Sequence, residues 1–498
     1  MRKPYSASIT GTMTITLTTA TTLLLLSSLV APAIAAEEPA APKAAEAQAT
    51  SDEAPSATAP SDANGSDWPS FLGPTGDGKS SEPLRTDWPL PILWHKKIGD
   101  GYSMPSVADG KLYVFGRHGD RARLSSWQST TGEELWRSEY ATDYEDYYGY
   151  STGPRASPVI DEDRVYTFGV GGMLRAHRTR DGELLWQVDT TADFGVVQNF
   201  FGAGSTPIVE GDLLITMVGG SPPDSPKIHS GDVRGNGSGI VAFDKRTGKV
   251  RYKMSDELAS YASPVLATVD GRRWGFAFTR GGLLGFAPDR GTQEFFFPWR
   301  AKKLESVNAA NPVVVDDTVF ITESYGPGSA LLKFAPGKHE VVWQDPPRGK
   351  AMESHWSTPI YLDGHLYGSS GQSGGNAELR AIEHATGKVT WSEPGLQRST
   401  LLYADGHFVV LTERGRLLLV RATPEKFDRV AEMDLGDAAA TKPQTAAGTQ
   451  AAAKTGIDTS ADDRPVLRFP AWNAPILSRG LLYVRGKDQL ICLDARPN

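Results

Sequence analysis

A single cysteine, Cys492, stands among the 498 residues, so the chain forms no internal disulfide and its stability has to come from packing. No apolar run reaches the ~20 residues of a membrane-spanning helix. Helical periodicity is missing over any long stretch. No Cys/His set has zinc spacing, and G-x-S-x-G, P-loop and dinucleotide signatures are all absent. Basic excess is absent too. The net charge is −8, which argues against a nucleic-acid partner.

Turn residues are abundant instead, with 52 Gly and 34 Pro. They recur in register. Gly132, Gly182 and Gly387 are each followed four residues later by Trp136, Trp186 and Trp391. Gly248 leads at that spacing to Tyr252 and Gly291 to Phe295; a longer turn joins Gly337 to Trp343. Glycine supplies a positive φ to such a turn, and the aromatic then falls at a fixed place on the next strand. These aromatics are expected to dock one repeat on the next.

A second pattern lies upstream of each turn. A proline opens a short β-rich run, with Gly or Asp five residues on and a bulky residue eight residues on. Pro105, Pro158, Pro312, Pro359 and Pro475 follow it fully; Pro207, Pro264 and Leu401 start looser copies. Eight units result, most of them 42 to 57 residues apart, the period of a four-stranded propeller blade. The fold class is therefore all-β, an eight-bladed β-propeller. The last unit has three strands and no fourth, while Ile92–Ile98 is a strand carrying Trp94 without a blade of its own. Pairing the two closes the ring and leaves no open seam.

Residues 1–36 have the form of an export signal: Arg2 and Lys3, the apolar core Leu23–Val30, and a small-residue cleavage site at Ala33-Ile34-Ala35. Residues 37–66 are too poor in large apolar side chains to pack and are expected to be a disordered linker. The propeller takes residues 67–498, with an Ala/Thr/Gln/Asp-rich insertion at 436–464 expected to be disordered. Trp68–Gly78, W-P-S-F-L-G-P-T-G-D-G, is expected to be a pad against the outside or the base of the fold. A soluble protein of the periplasm or the exterior is expected, a monomer that does not span the membrane. No cysteine is available beside the signal to accept a lipid.

The loops that precede the inner strands should ring the mouth of a central channel. This places Tyr102, Arg155, Phe201, Tyr261, Asn308, His355, Trp356, Arg398, Trp472 and Asn473 there, an aromatic and cationic set. Two longer loops share that face. Ala141–Pro154 carries Asp143, Tyr144, Glu145, Asp146, Tyr147, Tyr148 and Tyr150; Gly219–Gly239 carries His229 and Arg234. Either could form a lid or a docking rim. The acidic group Asp143, Glu145 and Asp146 lacks the spacing of a dedicated calcium loop, so no metal site is assigned.

The A-x-T-G-K-x-x-W turn, the S-x-P inner strand and the closing Trp94 strand resemble the pyrroloquinoline-quinone (PQQ) repeat propellers. That family includes quinoprotein alcohol dehydrogenases and the propeller lipoprotein of the outer-membrane β-barrel assembly machinery. The resemblance covers about residues 68–498 and implies the eight-bladed fold. Its dehydrogenases imply PQQ and Ca²⁺, a disulfide of adjacent cysteines and often a c-type haem held by C-x-x-C-H. The single cysteine precludes the disulfide, and the haem motif is absent. Asn308, Asn311 and Glu323 are of the right type for a calcium site but match no family motif. The expectation is thus a binding or scaffold protein of the cell envelope, with no cofactor and with a protein, peptide or glycan as partner. A PQQ- and calcium-dependent dehydrogenase of alcohols or sugars is the alternative.

Overall fold

In a computed structural model, residues 65–197, 199–227, 232–436 and 467–498 are described. The expected export signal, nearly all of the linker and all but the first residue of the 436–464 insertion lie outside them. His229 lies outside them as well. Among the described residues no helix is long and apolar enough to cross a membrane.

Eight antiparallel sheets follow one another along the chain. Blade 1 comprises Ser106–Ala108, Lys111–His118, Arg121–Gln128 and Glu134–Ala141. Blades 2 to 7 repeat that order, and the one described helix, Thr190–Phe194, follows blade 2. Blade 8 takes Ile476–Ser478, Leu481–Arg485 and Gln489–Asp494 from the end of the chain, and its outer strand is Ile92–Lys97. Trp94 pairs with Cys492 and His95 with Ile491, so the ring is an eight-bladed propeller closed by an N-terminal strand.

The local reasons repeat from blade to blade. First and second strands are joined by tight turns such as Asp109-Gly110, Asp363-Gly364 and Asp405-Gly406, with both φ positive, the geometry that matches strand twist. In most blades the glycine of the third-to-fourth turn faces the aromatic of the preceding blade. A Cβ on Gly182 would lie 2.8 Å from Trp136 Cδ2, one on Gly248 2.8 Å from Trp186 Cε3, and one on Gly387 2.9 Å from Trp343 Cη2. Each indole also donates across the same seam. Trp94 reaches Ser129 O at 3.2 Å, Trp136 Thr179 O at 3.0 Å, Trp186 Lys245 O at 3.1 Å, Trp343 His384 O at 2.9 Å and Trp391 Thr423 O at 3.0 Å. Tyr252 Oη does the same to Pro288 O at 2.7 Å. Phe295 has no polar tip and packs on His339. Blade docking therefore combines ring burial with a satisfied N–H or O–H, which keeps a half-buried aromatic from leaving a donor unpaired.

The segment before the first blade runs across the base of the channel. Trp68 exchanges two backbone hydrogen bonds with Val107, each 2.8 Å, and is buried. Pro69 O accepts from Ile160 N in blade 2, and Lys79–Ser80 adds a short parallel strand beside Ser399–Ala404 of blade 7. Glu82, also buried, accepts from Ser66 N, Arg479 N and Gly480 N and fastens this segment to blade 8.

Candidate functional site: an aromatic mouth on the central channel

On the face opposite the tight turns, the loops leading into the inner strands surround a cavity of about 220 Å³. Its floor is the base segment itself: Phe71 and Leu72 rise into the channel beneath Met104, Thr206, Thr358 and Thr400. Phe71 also lines the space on its other side, against Pro207, Pro264 and Asn311, so the channel is divided at this ring. The expected pad lies at the base and supplies the bottom of the mouth.

The walls are a chain of rings. Tyr102 and Trp472 have centroids 4.9 Å apart, Trp472 and Trp356 4.6 Å, and Trp356 and His355 4.8 Å. His355 Nε2 and Tyr325 Oη share a hydrogen bond of 2.9 Å. Tyr150 bridges from Trp472 to Phe201, 6.0 Å from each, and Phe201 meets Tyr261 at 5.6 Å. The Tyr261 hydroxyl accepts from Phe201 N at 2.8 Å.

The two cations of the mouth are neutralised where they stand. Arg398 lies over Trp356 at 4.6 Å and Trp472 at 5.1 Å, and its guanidinium is 2.6 Å from Glu413. Glu413 Oε2 also accepts from Trp472 Nε1 at 3.1 Å, which locks ring, cation and acid together. Arg155 lies 5.8 Å from the rings of both Tyr102 and Tyr144 and pairs with Asp146 at 2.5 Å. Burial, with Arg398 nearby, pushes His355 down to about 3, so its imidazole is neutral. Burial raises the Tyr102 and Tyr261 phenols, which stay protonated. The mouth is thus largely apolar and aromatic, with both of its lining arginines paired. Two buried polar atoms on its wall have no partner, His355 Nδ1 and Asn473 Oδ1.

Nine of the ten residues named for the mouth line this cavity; Asn308 does not. Its side-chain N–H donates to Thr279 O and Trp299 O, and its backbone carbonyl accepts from Tyr261 N and Ala262 N, so it braces two loops from behind. The rim loop splits. Tyr144 is buried, Tyr147 and Tyr148 are exposed, and Asp146 turns inward to Arg155 and to the N–H groups of Tyr148 and Tyr150. Asp143 and Glu145 are exposed. Among the described residues no three of His, Cys, Asp and Glu come close enough together to hold a metal ion. Asn311 Oδ1 accepts from Ser263 N, and Glu323 accepts from Ser306 Oγ and Tyr325 N; neither reaches the mouth. Cys492 is buried in blade 8.

Comparison with known proteins adds the family. A family model described as outer membrane protein assembly factor BamB matches residues 120–393, more than half of the chain. The chain belongs to this family. No curated protein matches it by sequence. Among solved structures, BamB from Moraxella catarrhalis superposes with a TM-score of 0.53 at 13% identity, over 82% of this chain and 98% of that one. The quinohemoprotein alcohol dehydrogenase from Comamonas testosteroni gives a TM-score of 0.45 at 13% identity, over 87% of this chain and 81% of that one. At such identities the likeness is one of fold. The chemistry has to be read from this BamB-family chain's own mouth.

Tyr325, Glu413 and Phe71 were not placed at that mouth from the sequence. Tyr325 sits in the loop between second and third strands of blade 5, and Glu413 holds the corresponding place in blade 7. The signal for both is their position in a second-to-third-strand loop on the loop-rich face. Phe71 had no such signal, because nothing in its neighbours' spacing points it into the channel.

Proposed function

We propose that this protein is an exported, envelope-resident binding protein whose mouth holds a ring-bearing or apolar segment of a protein partner. One observation carries the reading: the walls are closely packed, tilted rings, and the two arginines that line them are already paired with Asp146 and Glu413. Such a surface favours aromatic or apolar side chains by area burial and ring contact, and it offers an anionic ligand no unpaired arginine. The name of the family, an assembly factor of the outer membrane, supports a protein partner in the envelope. PQQ is a planar, polyanionic quinone, and the donors for it and its calcium ion do not meet here. Both mouth arginines are spent, Asn311 and Glu323 serve other groups, and no second cysteine exists.

The test is site-specific photocrosslinking in cells, with the probe at Phe469 on the rim and, as a control, at Val389 on an outer strand. An envelope-protein adduct from position 469, absent from 389 and lost on Trp472→Ala, is expected. Equal adducts from both positions would sink the proposal. So would saturable, calcium-dependent quenching of tryptophan fluorescence by PQQ together with dye reduction in the presence of alcohols.

A further inference from the structure

A second cavity, of about 80 Å³, lies beside the mouth between blades 2 and 3 and holds a cation from blade 4. Arg280, in the turn between Arg272–Phe278 and Gly282–Ala287, lines it and is only 5% exposed. The ring of Phe200 covers one side of its guanidinium at 5.4 Å. Its Nη2 donates to Leu304 O at 3.3 Å, while Nε has no partner. No described carboxylate forms an ion pair with it. Glu257, from the neighbouring loop, instead accepts from Thr279 Oγ1 at 2.7 Å and Gly281 N at 2.9 Å. Arg300 donates to the same Leu304 carbonyl at 3.1 Å, so two guanidinium groups converge on one neutral acceptor. Burial, with Arg300 beside it, lowers Arg280 to about 10, which still leaves it charged at neutral pH.

The other polar side chains of the cavity are almost all occupied. Thr190 and Thr191 donate to Gly172 O and Gly171 O, Asn199 to Ala259 O and Ser260 to Phe278 O. The exception is Ser205, whose buried hydroxyl has no partner. A buried cation without a counter-ion, its Nε unpaired, and a buried hydroxyl without a partner thus line one small cavity whose described lining contains no acid. Burying a charge without a counter-ion is costly, and the cost is removed by an anion that fills the space. The cavity has room for about two or three waters, enough for a carboxylate with a short stem and too little for a polymer segment. Thr191 is exposed and Val197 half-exposed at its edge, so the cavity reaches the surface.

We propose that this cavity is a carboxylate-binding site, in which the Arg280 guanidinium and the Ser205 hydroxyl donate to a single carboxylate. The fork geometry of arginine suits that planar group, and the mouth, whose cations are paired, does not duplicate it. The carboxylate arrives on a small acid or on the C-terminus of a peptide.

The experiment uses the full chain and titrates acetate, acetamide, inorganic phosphate, and a short peptide as free acid and as amide, with ligand-observed NMR as readout. Saturable acetate binding without acetamide binding is expected, weakened about tenfold or more by Arg280→Gln, the scale of a charge-assisted hydrogen bond. Ser205→Ala, a small change that leaves the packing intact, should weaken it several-fold and keeps the test alive if Arg280→Gln does not fold. A free-acid peptide that binds more tightly than acetate, with no binding of its amide, assigns the group to a chain end; acetate alone assigns it to a small acid. Phosphate binding as tightly as acetate, no saturation by acetate, or saturation unchanged in both variants overturns the proposal.

Discussion

Arg155 and Asp146 meet at 2.5 Å with side chains 9% and 0% exposed, and this contact ties the rim loop to the wall of the mouth. Asp146 also accepts from Tyr148 N and Tyr150 N, so one carboxylate folds the loop and neutralises the cation. Asp146→Asn should therefore cost about 3–5 kcal/mol, because it leaves a buried guanidinium without its counter-ion. Adding Arg155→Gln should restore part of that loss. Denaturant unfolding of the two single variants and the double variant measures the coupling, and simple additivity would contradict the pair's role.

Glu323 gives a pH dependence of known sign. Burial raises its carboxyl to about 7 in the folded chain, above the value near 4.5 of a free glutamate. The folded state thus holds a proton that the unfolded state releases first, and stability falls as pH rises from about 4.5 to 7. The contribution is of order 2–3 kcal/mol. Glu323→Gln should flatten this part of the profile and be more stable than the parent at pH 8. Denaturant midpoints taken at pH 5 and pH 8 decide it.

His355 and His177 act in the opposite direction. Burial lowers each to about 3, so the unfolded state takes up protons first, and stability is lost as pH falls from about 6.5 towards 3. Within pH 5–8 the His355 ring stays neutral. Imidazole NMR shifts that are flat across this range are expected, and so is mouth binding that His355 does not titrate. A midpoint near 6.5 would contradict the burial argument.

Gly387 and Gly337 separate backbone strain from blade docking. Both have φ of +72°, but a Cβ at 337 meets nothing within 4 Å, while one at 387 falls against the Trp343 ring at 2.9 Å. Gly337→Ala should cost about 1–2 kcal/mol for the left-handed backbone. Gly387→Ala should cost about 1–3 kcal/mol more, because the indole must move. Equal losses in thermal or denaturant unfolding would show that the ring contact contributes nothing.

The blades were legible because their constraints are local. A positive-φ glycine and an aromatic four residues later are fixed by one turn, and even the copy at Leu401 keeps Gly406 and Val409 in place. The closing strand was legible because Trp94 repeats the aromatic carried by the outer strands of blades 1 to 6. What escaped depends on contacts between distant segments. Lys79–Ser80 is too short to carry a pattern, and its partner is more than three hundred residues away. Phe71 reaches the channel because Trp68 and Lys79 anchor its segment on two different blades, 1 and 7. Asn308 sits where a mouth residue was expected, yet its amide satisfies buried carbonyls behind the wall. Arg280 lies in a short turn between second and third strands, and only the finished packing shows that no acid answers it.

The strand Ile92–Lys97 finds its partner only in Gln489–Asp494. A chain threaded out from its N-terminus must therefore keep that strand waiting until almost everything else has been made. Closing so long a loop adds only a logarithmic entropy cost, but it delays the last contact of the ring and slows folding relative to any single blade. During that interval blades 1 to 7 form an open arc with a bare strand edge at one end, a ready partner for any other extended chain. Time spent unclosed, rather than the strength of the finished ring, is then the step at which a helper protein would matter most.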